Sequence, residues 1–187
     1  MAPVWEKVAQ DFESEPGVLI AKVDCEAPNA KAIAQEAGVK SYPTIKFYPK
    51  GSTEPVPYSG GRTEADLLSF MNDKAGTHRS SGGGLDAIAG TIPSLDDIVS
   101  SIRESGGKVY TELGTAAGAL SDKYAEYYGK VAKKMDENAD YAQKELTRLQ
   151  GMIKKGGLAP EKLDDLTRRS NVLSKFAGET DTGKSEL

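Results

Sequence analysis

A single cysteine, Cys25, occurs in 187 residues, which excludes an internal disulfide framework, a cysteine zinc site and a redox pair within the chain. Histidine is equally scarce, and His78 alone cannot build a histidine metal site. No apolar run approaches the roughly 20 residues of a membrane-spanning helix. The sequence does not open with a basic segment followed by an apolar stretch, so nothing in it is expected to direct the chain into the secretory pathway. A basic surplus is missing as well: 24 basic against 28 acidic residues give a net charge of −4. Nucleic acid is thereby excluded as the main partner, because phosphate binding needs a basic patch. No membrane partner, metal or cofactor is expected.

What is present divides the chain. Apolar residues make up 38%, low for one compact domain, while 28% charge and 20 glycines point to solvated helix faces and a loose stretch. Residues 77–84 contain no apolar side chain and read as a flexible Gly/Ser-rich linker between domains 1–76 and 85–178, with a tail at 179–187. Charge does not separate the halves, since residues 1–84 and 85–187 each come to −2. Periodicity does: the first half mixes short β-rich and helical runs, and the second keeps a 3.6-residue period throughout. The expected fold is an α/β domain plus a separate all-α helical bundle.

In the first half, Val4, Trp5, Val8 and Phe12 share one helix face. Residues 18–25 are nearly continuous and apolar, and they predict a strand buried on both sides of a mostly parallel sheet. A helix over 29–37 ends at Gly38; strands follow at 42–48 and 56–59; Thr63 caps a last helix carrying Leu67, Leu68 and Met71. In the second half, Ser94 with Asp97 resembles a capping box ahead of Leu95, Ile98, Val99 and Ile102. Later helices carry Leu120, Tyr124, Tyr127, Val131 and Met135, then Ala142, Leu146, Leu149 and Ile153 up to Gly156. The last begins at Pro160 and carries Leu163, Leu166, Leu173 and Phe176. Short joints between wide stripes imply an antiparallel bundle.

The order of helix, Val18-Leu19-Ile20-Ala21-Lys22-Val23-Asp24-Cys25, helix, Val39-Lys40-Ser41-Tyr42-Pro43-Thr44 and two strands resembles the thioredoxin-like catalytic domain of protein disulfide isomerases over residues 2–75. Residues 85–177, especially Asp122 to Tyr128 and Glu145 to Leu149, are similar to the all-helical D domain of the PDI-D group. The final Lys184-Ser185-Glu186-Leu187 looks like a variant of the Lys-Asp-Glu-Leu retrieval signal, an address read by a receptor. The resemblance implies an endoplasmic reticulum lumenal parent whose partners are unfolded or disulfide-forming secretory proteins, with a possible homodimer.

In that family a Cys-x-x-Cys at a helix N-terminus supplies the reactive thiolate. Its second cysteine precedes by five residues a proline that Pro3 matches, so the motif would fall before Met1 and the chain reads as truncated, without a central strand between 18–25 and 44–48. The resemblance assigns Pro43 to the family's cis proline and places Tyr42 with it against extended polypeptide. It assigns Arg62 to the arginine that tunes the active cysteines, and Lys22 to a buried lysine whose glutamate partner is absent. Solvated surface arginine is the plain alternative for Arg62, and snorkelling to water for Lys22. Cys25 reads as an inert small hydrophobe at a strand end, and His78 as a solvated linker residue.

Tyr124, Tyr127, Tyr128 and Tyr141 could form a peptide-binding surface. Their spacing equally fits core packing, which is the expectation for Tyr124 and Tyr127, while Tyr128 is kept as a polypeptide-binding candidate. Lys133-Lys134, Asp164-Asp165 and Arg168-Arg169 read as solvated helix faces. The functional expectation is a protein disulfide isomerase family member assisting oxidative folding, with no redox dithiol in this chain. The alternative is a redox-silent chaperone or polypeptide-binding module.

Overall fold

In the computed structural model of the protein, residues 1–106 and 110–178 are described, and the retrieval-like Lys184–Leu187 lies outside them. The chain divides into two compact units, Met1–Gly84 and Leu85–Leu187.

The first unit opens with α1 (Ala2–Asp11), whose first turn accepts Pro3 because the missing N–H would be unpaired there anyway. Its apolar face buries Val8, and Phe12 follows just past its end. After α2 (Lys31–Glu36), β1 (Ile45–Phe47) and β2 (Val56–Tyr58) pair antiparallel, with Ile45 opposite Tyr58 and Phe47 opposite Val56. Then α3 (Glu64–Ala75) starts at a reciprocal capping box. The Asp66 N–H donates to Thr63 Oγ1 at 3.2 Å and the Thr63 N–H to the Asp66 carboxylate at 3.1 Å. Val8, Phe12, Leu67 and Leu68 form the core, with Trp5, Val18, Ile20, Ile45 and Met71 packed against it.

Two expectations fail in this unit. Residues 18–25 form no strand, and Leu19 is 85% exposed. A strand is defined by its ladder, and among the described residues β1 and β2 alone pair. The composition of 18–25 carries β propensity without a partner to satisfy it. Residues 77–84 are not a free tether either. The Arg79 guanidinium is buried, donating to Glu15 at 2.7 Å and to the Gly83 and Ser14 carbonyls, while Asn72 Nδ2 donates to the Arg79 carbonyl at 2.8 Å. Gly82 and Gly83, at φ 86 and 76, turn the segment so that the Gly82 N–H meets the buried Asp11 carboxylate at 2.8 Å. Glycine content here marks a left-handed turn rather than looseness.

The second unit is all helix: α4 (Pro93–Glu104), α5 (Thr111–Gly118), α6 (Lys123–Glu137), α7 (Tyr141–Lys155) and α8 (Pro160–Ala177). Leu95, Val99, Leu113, Tyr128, Val131, Leu146, Leu149, Leu173 and Phe176 fill its core. The loop before α4 is locked to α8, because Asn171 Nδ2 donates to the Asp86 and Ala89 carbonyls at 2.9 Å each. Gly90 is required where they meet, since a Cβ there would lie 2.5 Å from Arg168 Cβ.

Three details depart from the periodicity. Pro93 starts α4 and makes Ile92 its cap, so Ser94 lies inside the helix and the expected capping box does not form. Leu120 lies before α6, where Asp122 caps instead, accepting from the Tyr124 and Ala125 N–H groups at 2.7 and 3.1 Å. The short α5 is an addition: its two glycines and two threonines weaken the propensity signal, and burial of Leu113 and Ala117 forms it.

Candidate functional site

Just before β1 the Tyr42-Pro43 peptide bond is cis, and the Tyr42 side chain is 63% exposed. The turn is fixed by Thr44 Oγ1 donating to the Ser41 carbonyl at 2.6 Å. Tyr42 lines a shallow hollow of about 520 Å³ together with Cys25, Lys31, Ala34, Gln35 and Val39. An exposed aromatic ring beside a proline offers area and a shaped edge to an extended chain.

The other residues matched by resemblance do not join this hollow. Lys22 is not buried: it is exposed and pairs with Glu6 at 3.0 Å, because residues 18–25 lie outside any sheet that could enclose it. Arg62 is exposed ahead of α3 and does not line the hollow. Cys25 is half-buried at the end of an unpaired segment, not of a buried strand, with Sγ 3.9 Å from the Val23 carbonyl. His78 is half-buried beside Arg79 rather than solvated.

In the helical unit Tyr127 packs against the core as expected, though half-buried, whereas Tyr128 and Tyr124 depart from expectation. Tyr128 is 0% exposed, so it is a core residue and not a polypeptide contact. Its ring packs 5.9 Å from that of Phe176, its hydroxyl donates to the Asp96 carboxylate, and it accepts from the Ile92 N–H at 3.3 Å. Burial pushes the Tyr128 phenol far above its usual range, and the Asp96 bond adds to that. Burial also raises Asp96, against the opposing pull of Tyr128 and Lys175.

Tyr124, Tyr127 and Tyr141 are only half-buried and line a hollow of about 660 Å³ formed by α6, the start of α7 and Arg169 of α8. Arg169 lies 5.2 Å over the Tyr127 ring and pairs with Asp165 at 3.0 Å; Lys123 reaches the same carboxylate at 2.6 Å. Burial would raise Asp165, but the Lys123 hydrogen bond and the Arg169 charge leave it below the ordinary carboxylate range. Asp164, expected on a solvated face, is buried because α8 is enclosed on several sides. The lysines of α6 lie on one stripe at 123, 130, 133 and 134, a signal present in the sequence. Only folding adds Arg169 to it.

Among the described residues no group of three or more His, Cys, Asp or Glu could hold a metal ion, and no helix is long and apolar enough to cross a membrane.

Comparison with known proteins follows the same division. Residues 1–73 match the thioredoxin family, and residues 90–176 match the family described as endoplasmic reticulum protein ERp29, C-terminal domain. The chain is 56% identical over 187 residues to protein disulfide-isomerase tigA of Aspergillus niger, covering 100% of this chain and 52% of that protein. It is 51% identical over 196 residues to protein disulfide-isomerase erp38 of Neurospora crassa, covering 100% of this chain and 53% of that protein. It is 36% identical over 186 residues to probable protein disulfide-isomerase A6 of Medicago sativa, covering 95% and 50%. The chain therefore spans about half the length of the curated relatives it matches. A thioredoxin-family segment followed by an ERp29-type helical domain, in a chain whose relatives are named protein disulfide-isomerases, matches the PDI-D arrangement of the protein disulfide isomerases.

Proposed function

We propose that the protein assists protein folding in the endoplasmic reticulum as a protein disulfide isomerase family member, and that these 187 residues contribute polypeptide holding rather than dithiol chemistry. Thiol–disulfide exchange proceeds by thiolate attack through a mixed disulfide, and its resolution within one chain takes a second thiol. Cys25 is the one cysteine here. The observation that carries the proposal is the exposed Tyr42 ring on the hollow that it lines with Cys25, Lys31 and Val39, a surface that offers contact area to an extended chain without any thiol exchange. The names of the relatives support the folding role, and the ERp29 match supports the compartment. Clients are unfolded secretory proteins, held while they pair their own cysteines.

The test uses the 187-residue chain in two assays. Aggregation of a reduced, denatured client is expected to slow in its presence, and Tyr42→Ala to weaken that effect. Reactivation of a scrambled-disulfide substrate is expected to stay at the level of a Cys25→Ser control. Turnover above that control overturns the holding role in favour of catalysis, and an unchanged Tyr42→Ala variant removes the Tyr42 face from it. Cell fractionation that leaves the protein in the cytosol overturns the compartment.

A further inference from the structure

The helical unit carries a surface that the folding role does not use and that owes nothing to redox chemistry. The hollow beside α6 is lined by five basic and three acidic side chains, in a chain whose net charge is −4. Each of its acids already has a cation: Glu126 has Lys130 at 3.9 Å, Glu137 has Lys134 at 2.7 Å, and Glu145 has Arg148 at 2.7 Å. Lys133 has no carboxylate within ion-pair distance among the described residues and stands exposed at the rim. The local field is therefore positive where the molecule as a whole is negative, which is how a surface selects an acidic partner against the background charge.

The floor is aromatic. Tyr124, Tyr127 and Tyr141 present rings that give contact area at low entropy cost. The Tyr127 hydroxyl is buried and has no hydrogen-bond partner among the described residues. A buried donor is costly to leave unpaired, and a carboxylate seated on the floor would relieve it. Burial keeps that phenol protonated far above neutral pH, so it remains a donor. At about 660 Å³ the hollow takes several residues of polypeptide rather than one small anion. No large apolar side chain is exposed in its lining, which disfavours insertion into a lipid surface.

We infer that the hollow formed by α6, the start of α7 and Arg169 binds an acidic polypeptide segment, with carboxylates on Lys130, Lys133 and the Tyr127 hydroxyl and its body against the tyrosine rings. The partner is a protein with an exposed run of Asp or Glu, joined to the helical unit without use of the Tyr42 face.

The probe is N-acetyl hexaglutamate amide, titrated into the isotopically labelled 187-residue chain by amide-shift NMR, with hexaglutamine as the control. Saturable shifts are expected at residues 123–134, 141–145 and 169 with hexaglutamate alone, and about tenfold weaker binding on raising salt from low to several-fold physiological ionic strength. Lys130→Glu with Lys133→Glu is expected to weaken binding by about tenfold or more while leaving the melting curve unchanged, since such exposed charges contribute little to stability. Tyr127→Phe keeps the ring and is expected to weaken binding about threefold or more through the lost hydrogen bond. Equal shifts from hexaglutamine, hexaglutamate shifts centred on other residues, or an unaffected double charge reversal would each overturn the inference. So would binding to phosphatidylserine vesicles with no response to hexaglutamate. None of these readouts involves Tyr42 or Cys25, so the holding role and this surface fail separately.

Discussion

Residues 1–84 and 85–187 carry the same formal charge of −2, yet four described side chains make the buried cluster of the first unit and sixteen that of the second. In the helical unit the backbone hydrogen bonds are closed within each helix, so burial needs only that faces meet. In the α/β unit the extended segments can satisfy their backbone only against one another. One pair, β1 with β2, does so, while residues 18–25 remain outside any ladder. The first unit compensates with polar fixtures such as Arg79 on Glu15, and the second rests on apolar packing.

Trp5 is the single tryptophan and lies in the first unit, its indole N–H donating to the Ala21 carbonyl at 3.1 Å, so its fluorescence follows that unit while helical ellipticity is dominated by the other. Phe176→Ala is expected to destabilise the helical unit by about 3–5 kcal/mol and leave the Trp5 transition in place. A joint shift of both signals would show that the units unfold together. Arg79→Ala should act in the reverse sense, costing the first unit about 3 kcal/mol because the buried guanidinium is removed and the largely enclosed Glu15 is left without that partner. A change below about 1 kcal/mol in the Trp5 transition would return residues 77–84 to a free tether.

Tyr128→Phe removes the donor to Asp96 and should cost the helical unit about 1–2 kcal/mol near neutral pH. The cost should shrink in acid. Burial raises the folded Asp96 above its unfolded value, so its contribution to stability is complete below the unfolded value and is lost as pH rises through the folded one. The charged carboxylate that depends on the Tyr128 hydroxyl therefore exists only above that window, and urea midpoints compared on its two sides would check this. Thr63→Ala should cost about 1 kcal/mol by deleting the α3 cap, read from Trp5 in urea. Leu19→Ser should stay within about 0.5 kcal/mol, since its side chain has little burial to lose. A cost of about 2 kcal/mol or more would mean that residues 18–25 are packed as a strand after all.

The amino-acid order suffices for much of this. Leu67 and Leu68 behind a Thr63 cap, Leu146 and Leu149 on one face, and Pro160 in a first turn are local patterns, and each appears in the fold as read. The Tyr42-Pro43 bond is cis as its match implied. Less legible is α5, where packing of Leu113 and Ala117 outweighs poor propensity. The Tyr42 hollow was half visible, as its tyrosine and proline announce themselves, whereas Arg62 and Lys22 stand apart from it.

By itself the sequence determined the two-part division, most helix faces and the Thr63 cap, because these depend on spacings of three or four residues along one segment, whereas the cap expected at Ser94 gave way to Ile92 once Pro93 opened α4. Only the tertiary structure decided which of two adjacent tyrosines is core. Tyr127 and Tyr128 differ by about 100° around α6, and the placement of Phe176 and Asp96 draws Tyr128 inward while leaving Tyr127 beneath Arg169. It likewise brought Lys123 of α6 to the Asp165–Arg169 pair of α8, since residues 42 positions apart meet through helix packing and leave no local pattern in the chain.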